Sequence, residues 1–259
     1  KNKMKKLLVI LSILILFPIS AVAQTETEFN LENLFLGEQT TSLVAIDDFN
    51  LIWSVDTYTP YNYEGRNLPS RGSEIKVEAI VNISSGNPYN LKYSWFIEGI
   101  FQRSKSGYGK DVFSFSTVQR PGGFHTIKLQ IFNDDRSVFQ EKSIQIPVVN
   151  PEIIVYPSNG NSHFSNQASK ISTVLSNKEF SFIAKPYFFS IKRLTDLTFE
   201  WNFPGKEPIV SSDYNASVLK LTVSSNKLGE SIKNDLRVSA KNTKDPRQEA
   251  SQIIKLNIY

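Results

Sequence analysis

From about residue 41 onward, apolar and polar residues alternate along the chain with a period of two. This spacing is typical of β-strands with one face buried and the other in water. In the first half the apolar positions that share a face are Ile75/Val77/Ala79/Val81, Tyr93/Trp95/Ile97, Ile127/Leu129/Ile131 and Ile144/Ile146/Val148. In the second half they are Phe180/Phe182/Ala184, Phe199/Trp201/Phe203, Leu219/Leu221/Val223, Leu236/Val238/Ala240 and Ile254/Leu256/Ile258. No long stretch has helical spacing, so the sequence predicts an all-β fold.

The two halves of this region repeat each other. Trp95 lies 17 residues before Val112, and Trp201 lies 17 residues before Val218. The two tryptophans are 106 residues apart, which is close to the length of one immunoglobulin-like domain. The spacing therefore indicates an internal duplication.

We predict two tandem immunoglobulin-like β-sandwiches, at residues 41–150 and 151–259. Trp95 and Trp201 are predicted to lie in their cores, because such sandwiches place a tryptophan between the two sheets. The prolines in residues 147–151 predict a short, stiff joint between the domains.

Several segments resemble known sequences of exported proteins. LKYSWFIEG (91–99) and LTFEWNFPG (197–205) resemble the Y-x-W-x-F-G-D-G strand of PKD repeats, without its Gly-Asp-Gly. PGGFHTIKLQIFN (121–133) is similar to a later strand of the same family. Residues 53–77 and 185–190 resemble segments of uncharacterised exported bacterial proteins with tandem domains of this kind. The resemblance implies PKD-like domains in a surface or secreted protein with no known chemistry.

Residues 1–23 have the pattern of a signal peptide. A basic start is followed by the apolar run 7–17, by Pro18 and by the small residues of Ala-Val-Ala. Cleavage is expected after Ala23. The alternative is an uncleaved membrane anchor, for which the run is short against the roughly 20 residues that span a bilayer. Residues 24–40 are polar and acidic and are predicted to be a tether. The protein is therefore expected to be exported to the extracellular space or the cell surface. The periplasm is an alternative location.

The composition excludes several functional classes. The chain has no cysteine, which excludes disulfides, thiolate zinc sites and a cysteine nucleophile. Its net charge is +4, but the leader carries four lysines and no acid. The rest of the chain is neutral, with 25 basic and 25 acidic residues, so composition gives no argument for nucleic-acid binding.

We find no signature of catalysis. The common nucleophile, metal-protease and nucleotide motifs are missing from the sequence, so we predict no enzyme, no cofactor and no metal. Of the two histidines, His125 is predicted on the solvent face of its strand, opposite Ile127, and His163 in a polar loop. The acidic pairs Asp47-Asp48 and Asp134-Asp135 are explained by strand-flanking turns as well as by calcium.

The charge differs between the halves. Residues 24–150 carry a net charge of −4, and residues 151–259 carry +4. Opposite charges on a stiff tandem favour weak head-to-tail self-association. Ordinary surface variation, screened by salt, is the alternative.

Two aromatic runs are candidates for partner binding. Exposed aromatic rings can stack on sugars or anchor a protein partner. The alternative is that they cover the ends of the sandwiches or fill the joint between them. The candidate residues are Tyr58, Tyr61, Tyr63, Tyr187, Phe188 and Phe189.

These observations favour a non-enzymatic exported protein, acting as a spacer, an adhesive or a protein-binding module. One alternative is a carbohydrate-binding accessory module, which a planar row of solvent-facing Tyr or Phe would support. Another is a subunit of an extracellular filament or layer. The expected partner is a protein or a surface glycan and not a nucleic acid. Attachment to a membrane is expected only if the leader is left uncleaved and retained.

Overall fold

The computed structural model describes residues 44–158, 164–223 and 232–259, which form sixteen β-strands. The predicted signal peptide (1–23), the predicted tether (24–40) and His163 lie outside the described residues. No helix in the described ranges is long and apolar enough to cross a membrane.

The first pair of sheets comes from the N-terminal half. Its three-stranded antiparallel sheet has the order β1-β2-β6; these strands are Ala45–Val55, Glu74–Ser85 and Val112–Ser116. Its five-stranded sheet has the order β4-β3-β7-β8, with β5 also paired to β3. These strands are β3 (Lys92–Ile97), β4 (Ile100–Phe101), β5 (Gly107–Tyr108), β7 (Phe124–Phe132) and β8 (Phe139–Pro147).

The second pair of sheets comes from the C-terminal half. Its three-stranded sheet has the order β14-β11-β9, and its five-stranded sheet has the order β10-β16-β15-β12-β13. Of these, only the β10 and β16 strands pair in parallel. The strands are β9 (Glu152–Ser158), β10 (Ile171–Val174), β11 (Glu179–Tyr187), β12 (Leu197–Asn202), β13 (Ile209–Ser211), β14 (Val218–Thr222), β15 (Ile232–Asn242) and β16 (Glu249–Ile258).

Each pair of sheets has its own hydrophobic cluster, built from the alternating apolar positions of its strands. Trp95 and Trp201 are both buried in these clusters. The Trp95 indole N–H donates to the Lys110 carbonyl at 2.7 Å, and that of Trp201 donates to the Ala216 carbonyl at 3.0 Å. In both cases the acceptor lies 15 residues further along the chain. The two tryptophans thus occupy equivalent positions in the two pairs of sheets.

The strand orders of the two pairs match, since β1-β2-β6 corresponds to β9-β11-β14 and β4-β3-β7-β8 to β13-β12-β15-β16. The fold is all-β and of immunoglobulin-like type. Residues Ser42–Tyr259 form one compact unit. The domain boundary at residues 147–151 therefore stays a prediction.

The core of the first pair contains Tyr93, whose phenol makes the free energy of unfolding depend on pH in the alkaline range. Burial, with a smaller contribution from the Asp111 carboxylate, raises the pKa of Tyr93 from 10.0 to about 12. The folded state then holds the proton more tightly than the unfolded state, so stability is lost as the pH rises from 10 to 12. We expect Tyr93→Phe to remove this part of the loss. Urea unfolding midpoints of both proteins, measured from neutral pH to pH 12, check this. A parallel decline in the two proteins would contradict it.

Candidate functional site

The two aromatic runs meet where the first pair of sheets joins the second. The Tyr58 N–H donates to the Phe189 carbonyl at 2.7 Å, and the Phe188 N–H donates to the Tyr58 carbonyl at 2.8 Å. The Tyr63 ring packs edge-on against Tyr187 and Phe188, with ring centroids 5.6 and 5.8 Å apart. Phe188 has a φ of 62°, an uncommon backbone conformation for a bulky residue, which these contacts hold in place.

Most of these residues are not available to a partner. Tyr187 and Phe188 are each 7% exposed and Phe189 is fully buried, which corrects the hypothesis that they form an exposed binding loop. Tyr58 and Tyr63 are half-buried. Tyr61 is fully exposed and lies beside a groove of about 230 Å³. Phe189 is buried in the hydrophobic core of the second sheet pair, and Tyr187 and Phe188 are covered in part by the Tyr63 ring.

A buried glutamine adds polar contacts to this junction. The Gln248 Nε2 group donates to the Arg71 carbonyl at 2.6 Å and lies 3.1 Å from the Ser70 hydroxyl oxygen. Its Oε1 atom accepts from the Asn242 amide group and from the Ser190 N–H, both at 2.9 Å. Gln248 therefore bonds to both halves at once. We call this set of aromatic and polar contacts the junction.

Two tyrosines of the junction, Tyr58 and Tyr187, have raised pKa values. Burial raises the pKa of Tyr58. Burial also raises the pKa of Tyr187, whose hydroxyl lies 3.2 Å from that of Tyr156. Tyr58 and Tyr187 therefore pack in the junction as neutral phenols.

His125 is buried, so its predicted place on the solvent face is wrong. Residues two apart on a strand share a face, and His125 lies on the same inward side as Ile127. Its Nε2 atom lies 2.6 Å from Thr117 Oγ1, and its Nδ1 atom lies 3.0 Å from Glu98 Oε1. The order carboxylate, imidazole, hydroxyl is that of a catalytic triad. Thr117, however, is only 1% exposed, so no substrate can reach its hydroxyl.

Three of the four acids in these pairs, Asp48, Asp134 and Asp135, form hydrogen bonds or ion pairs with neighbouring side chains. The Asp135 carboxylate accepts from the Ser137 N–H at 2.9 Å, and these bonds lower the pKa of Asp135. Asp48 pairs with Lys142 at 2.7 Å, and this bond lowers the pKa of Asp48. Within the described ranges, no group of three metal-ligating side chains comes together.

The charge difference between the halves depends on the predicted tether. Residues 24–40 contain four glutamates and no base. The described residues of the first half, 44–150, carry 11 acidic and 11 basic residues. The folded part of the first half is therefore neutral, which weakens the argument for head-to-tail pairing of the two sheet pairs.

A second cluster of aromatic rings lies on the outer side of the five-stranded sheet of the first pair. Because Tyr93 and Trp95 point inward, the alternate positions of β3 point to solvent. Partners directly opposite in the ladder share that face. We define the aromatic face by the outward rings of this sheet, which are Phe96, Phe101, Tyr108, Phe132 and Phe139.

The rings form two rows that cross the strands. In one row Lys92 lies between Tyr108 and Phe132 in the ladder, and Phe139 follows Phe132. In the other row, Phe96 lies between Phe101 and Lys128. A polar row separates them; it consists of Ser94, Gln130 and Glu141.

Three of the rings are well exposed. Phe101, Tyr108 and Phe139 are 47%, 49% and 55% exposed. Phe96 and Phe132 are half-buried. The rows therefore present aromatic surface to solvent at both ends of the strands.

Each row also carries a cation beside a ring. Lys92 Nζ lies 4.8 Å from the Tyr108 ring centroid, and Lys128 Nζ lies 4.8 Å from that of Phe96. The two lysines also pair with carboxylates, Lys92 with Asp134 at 3.6 Å and Lys128 with Glu141 at 3.3 Å. The face is therefore apolar and hydrogen-bonding, with both lysine charges compensated and one further cation, Arg136, whose Cζ atom lies 5.6 Å from the Phe132 ring centroid.

The second pair of sheets shows the same face without the rings. Trp95 pairs with Leu129, which in turn pairs with Lys142. In the same way Trp201 pairs with Val238, which pairs with Gln252. When the two sheet pairs are aligned in this way, three ring positions of the first pair are occupied by polar residues in the second pair. Phe96, Phe132 and Phe139 correspond to Asn202, Lys241 and Glu249. The fold therefore does not require aromatic residues at these positions.

Sequence reasoning missed this face because it looked for aromatic runs in connecting segments. The alternation pattern did contain a signal. In each of the two strands every second residue is apolar and faces the core, and Phe96 and Phe132 stand at the alternate positions. An aromatic residue at one of these alternate positions points away from the core, because successive side chains of a strand point to opposite faces. Which other rings join it depends on the strand register.

The sequence matches no known family model and no curated protein. Solved structures with a similar fold include the following three, each at 12% identity. The first holds three N-terminal domains of Hoc, the Highly Immunogenic Outer Capsid protein of bacteriophage RB49. Its TM-score is 0.44, over 83% of this chain and 59% of that one.

The second is SGBP-B of the Bacteroides ovatus mixed-linkage glucan utilization locus, in complex with a mixed-linkage heptasaccharide. Its TM-score is 0.24, over 79% of this chain and 47% of that one. The third is dimeric latent PorU from Porphyromonas gingivalis, with a TM-score of 0.25, over 83% and 20%. The chain spans less than two thirds of each of the three structures, and at these TM-scores the likenesses carry no functional conclusion.

Proposed function

We propose that this chain is a non-enzymatic binding module whose binding surface is the aromatic face. The observation that carries the proposal is the contrast between the sheet pairs. Outward rings stand in the first pair where the second pair has Asn202, Lys241 and Glu249. Exposed apolar patches on folded proteins commonly mark interaction sites. Since the fold does not need the rings, a ligand is the physical reason to keep them in water.

The rest of the proposal concerns how this surface is presented. We propose two tandem immunoglobulin-like, PKD-like domains at 41–150 and 151–259, exported by the signal peptide at 1–23. The second domain would act as a spacer. The junction supports this role, because interlocked rings and a fully bonded Gln248 resist bending between the halves.

The proposal is tested by removing the exposed rings. The face variant carries Phe101→Ser, Tyr108→Ser and Phe139→Glu, and Tyr214→Ser is the control for an exposed ring elsewhere. Co-sedimentation with cellulose, chitin and collagen fibres measures binding, and sedimentation velocity measures self-association. We expect the wild-type chain to bind at least one of these targets or itself. The face variant is expected to lose that binding, and the Tyr214→Ser control to keep it.

The same variant separates a functional role from a structural one. Exposed residues outside special features change stability by only about 0.5 kcal/mol, so its urea midpoint should stay close to that of the wild-type chain. Three results would count against the proposal. They are a wild-type chain that binds nothing, a face variant that binds normally, and a face variant that is destabilised by more than about 2 kcal/mol.

A further inference from the structure

We propose that the aromatic face binds an uncharged oligosaccharide chain that lies across its two aromatic rows. This inference rests on the proposed function of the same face and names the class of ligand. The size of the face, its charge and the order of its side chains each favour a sugar.

The size of the face suits a chain of sugar rings better than a protein. Phe96 and Lys92 are four residues apart on β3, which separates the rows by about 13 Å at ~3.3 Å per residue. Four strands about 4.8 Å apart make the face roughly 14 Å wide. The area is then about 200 Å², whereas a stable protein interface needs about 800 Å² on each partner. A protein partner would therefore have to rely mainly on surface outside the two rows.

The ion pairs of the two rows favour an uncharged ligand. The ammonium groups of Lys92 and Lys128 are already paired with Asp134 and Glu141. A polyanion would have to displace these carboxylates or approach them closely, and like charges repel. Neutral hydroxyl groups can hydrogen-bond beside the ion pairs without breaking them.

The order of the side chains matches the two surfaces of a sugar ring. A pyranose ring has an apolar C–H face and a rim of hydroxyl groups, and the rings of Phe101 and Tyr108 offer apolar surface to the first. The polar row between them offers the amide of Gln130 and the carboxylate of Glu141; the Gln130 Nε2 group donates one hydrogen bond to Glu141 Oε2 at 2.6 Å, and the remaining amide N–H, amide oxygen and carboxylate oxygen face a ligand. An amide both donates and accepts, whereas a carboxylate accepts, so the row can bond hydroxyl groups of either orientation.

The inference is tested by affinity gel electrophoresis of the full chain. The uncharged probes are laminarin, xyloglucan, galactomannan and soluble starch, and the acidic probe is polygalacturonate. The test variant is Phe101→Ala with Tyr108→Ala. The matched control is Tyr214→Ala, which removes an exposed ring from the second sheet pair. Unfolding midpoints of all three proteins are compared, so that loss of binding is not confused with loss of folding.

We expect at least one uncharged probe to retard the wild-type chain, with little change between low and high salt. The double variant should bind it about tenfold or more weakly, because two anchoring rings are removed, and Tyr214→Ala should bind normally. Retardation by no uncharged probe, or by polygalacturonate alone, would overturn the inference. In that case, the wild-type chain can still bind collagen or self-associate, and the face variant can lose this binding. The proposed binding function then stands, but its ligand is not a sugar. If no target of any class binds, both proposals are wrong.

Discussion

Replacing Trp95 with alanine is expected to lower the free energy of unfolding by about 3–5 kcal/mol. The Trp95 side chain is fully buried between the two sheets and stacks on Phe113, with ring centroids 5.5 Å apart. The substitution leaves a large cavity and also removes the donor that the Lys110 carbonyl accepts from. Trp201→Ala should act similarly on the second pair, since Trp201 is also buried and bonds to Ala216. Losses of this size are a large part of the stability of a small domain.

Urea unfolding, followed by circular dichroism, measures these losses. Tyr89→Ala is a suitable control because Tyr89 is a well-exposed aromatic residue of the same half, and its replacement should change stability by less than about 0.5 kcal/mol. A loss below about 1 kcal/mol for Trp95→Ala would show that the tryptophan does not organise this core. The same result at Trp201 would remove the structural parallel between the halves.

Gln248→Ala is expected to uncouple the two halves. Gln248 is buried, and it bonds to Arg71 and Ser70 of the first half and to Ser190 and Asn242 of the second. Each buried polar group left without its partner costs about 1–3 kcal/mol. The substitution should therefore destabilise the junction by several kcal/mol and separate one unfolding transition into two.

Differential scanning calorimetry shows whether one transition or two are present. Gln252→Ala is the matched control, because the Gln252 Oε1 atom accepts from the Val155 N–H within the second half. That substitution should lower stability without separating the transitions. A single, unshifted transition in Gln248→Ala would mean that the aromatic contacts alone hold the junction.

The strands and the two cores could be predicted from the sequence. The alternation in residues 75–81 and 127–131 places Ile75, Val77, Ile127 and Leu129 inward, and all four are buried in the structure. The reason is local, because successive side chains of a strand point to opposite faces wherever the strand lies in the fold. Counting the alternation correctly would also have placed His125 inward.

The candidate site could not be predicted in the same way. Tyr58 and Phe189 are 131 residues apart in the sequence, and nothing in the pattern of either run says that the two are partners. Phe96, Phe101, Phe132 and Phe139 become one surface only through the ladder that pairs β4, β3, β7 and β8. Register between strands that are distant in sequence is set by tertiary packing.

By itself, the sequence determined the strand-forming segments, their buried faces and the two core tryptophans, because these follow from the period of two in apolar positions. It also determined that disulfides and thiolate sites do not exist in this chain, because there is no cysteine. Only the tertiary structure decided that Tyr187, Phe188 and Phe189 are buried and that rings from five strands share one exposed face. Both outcomes depend on contacts between distant segments, whose energies arise only when the sheets are assembled.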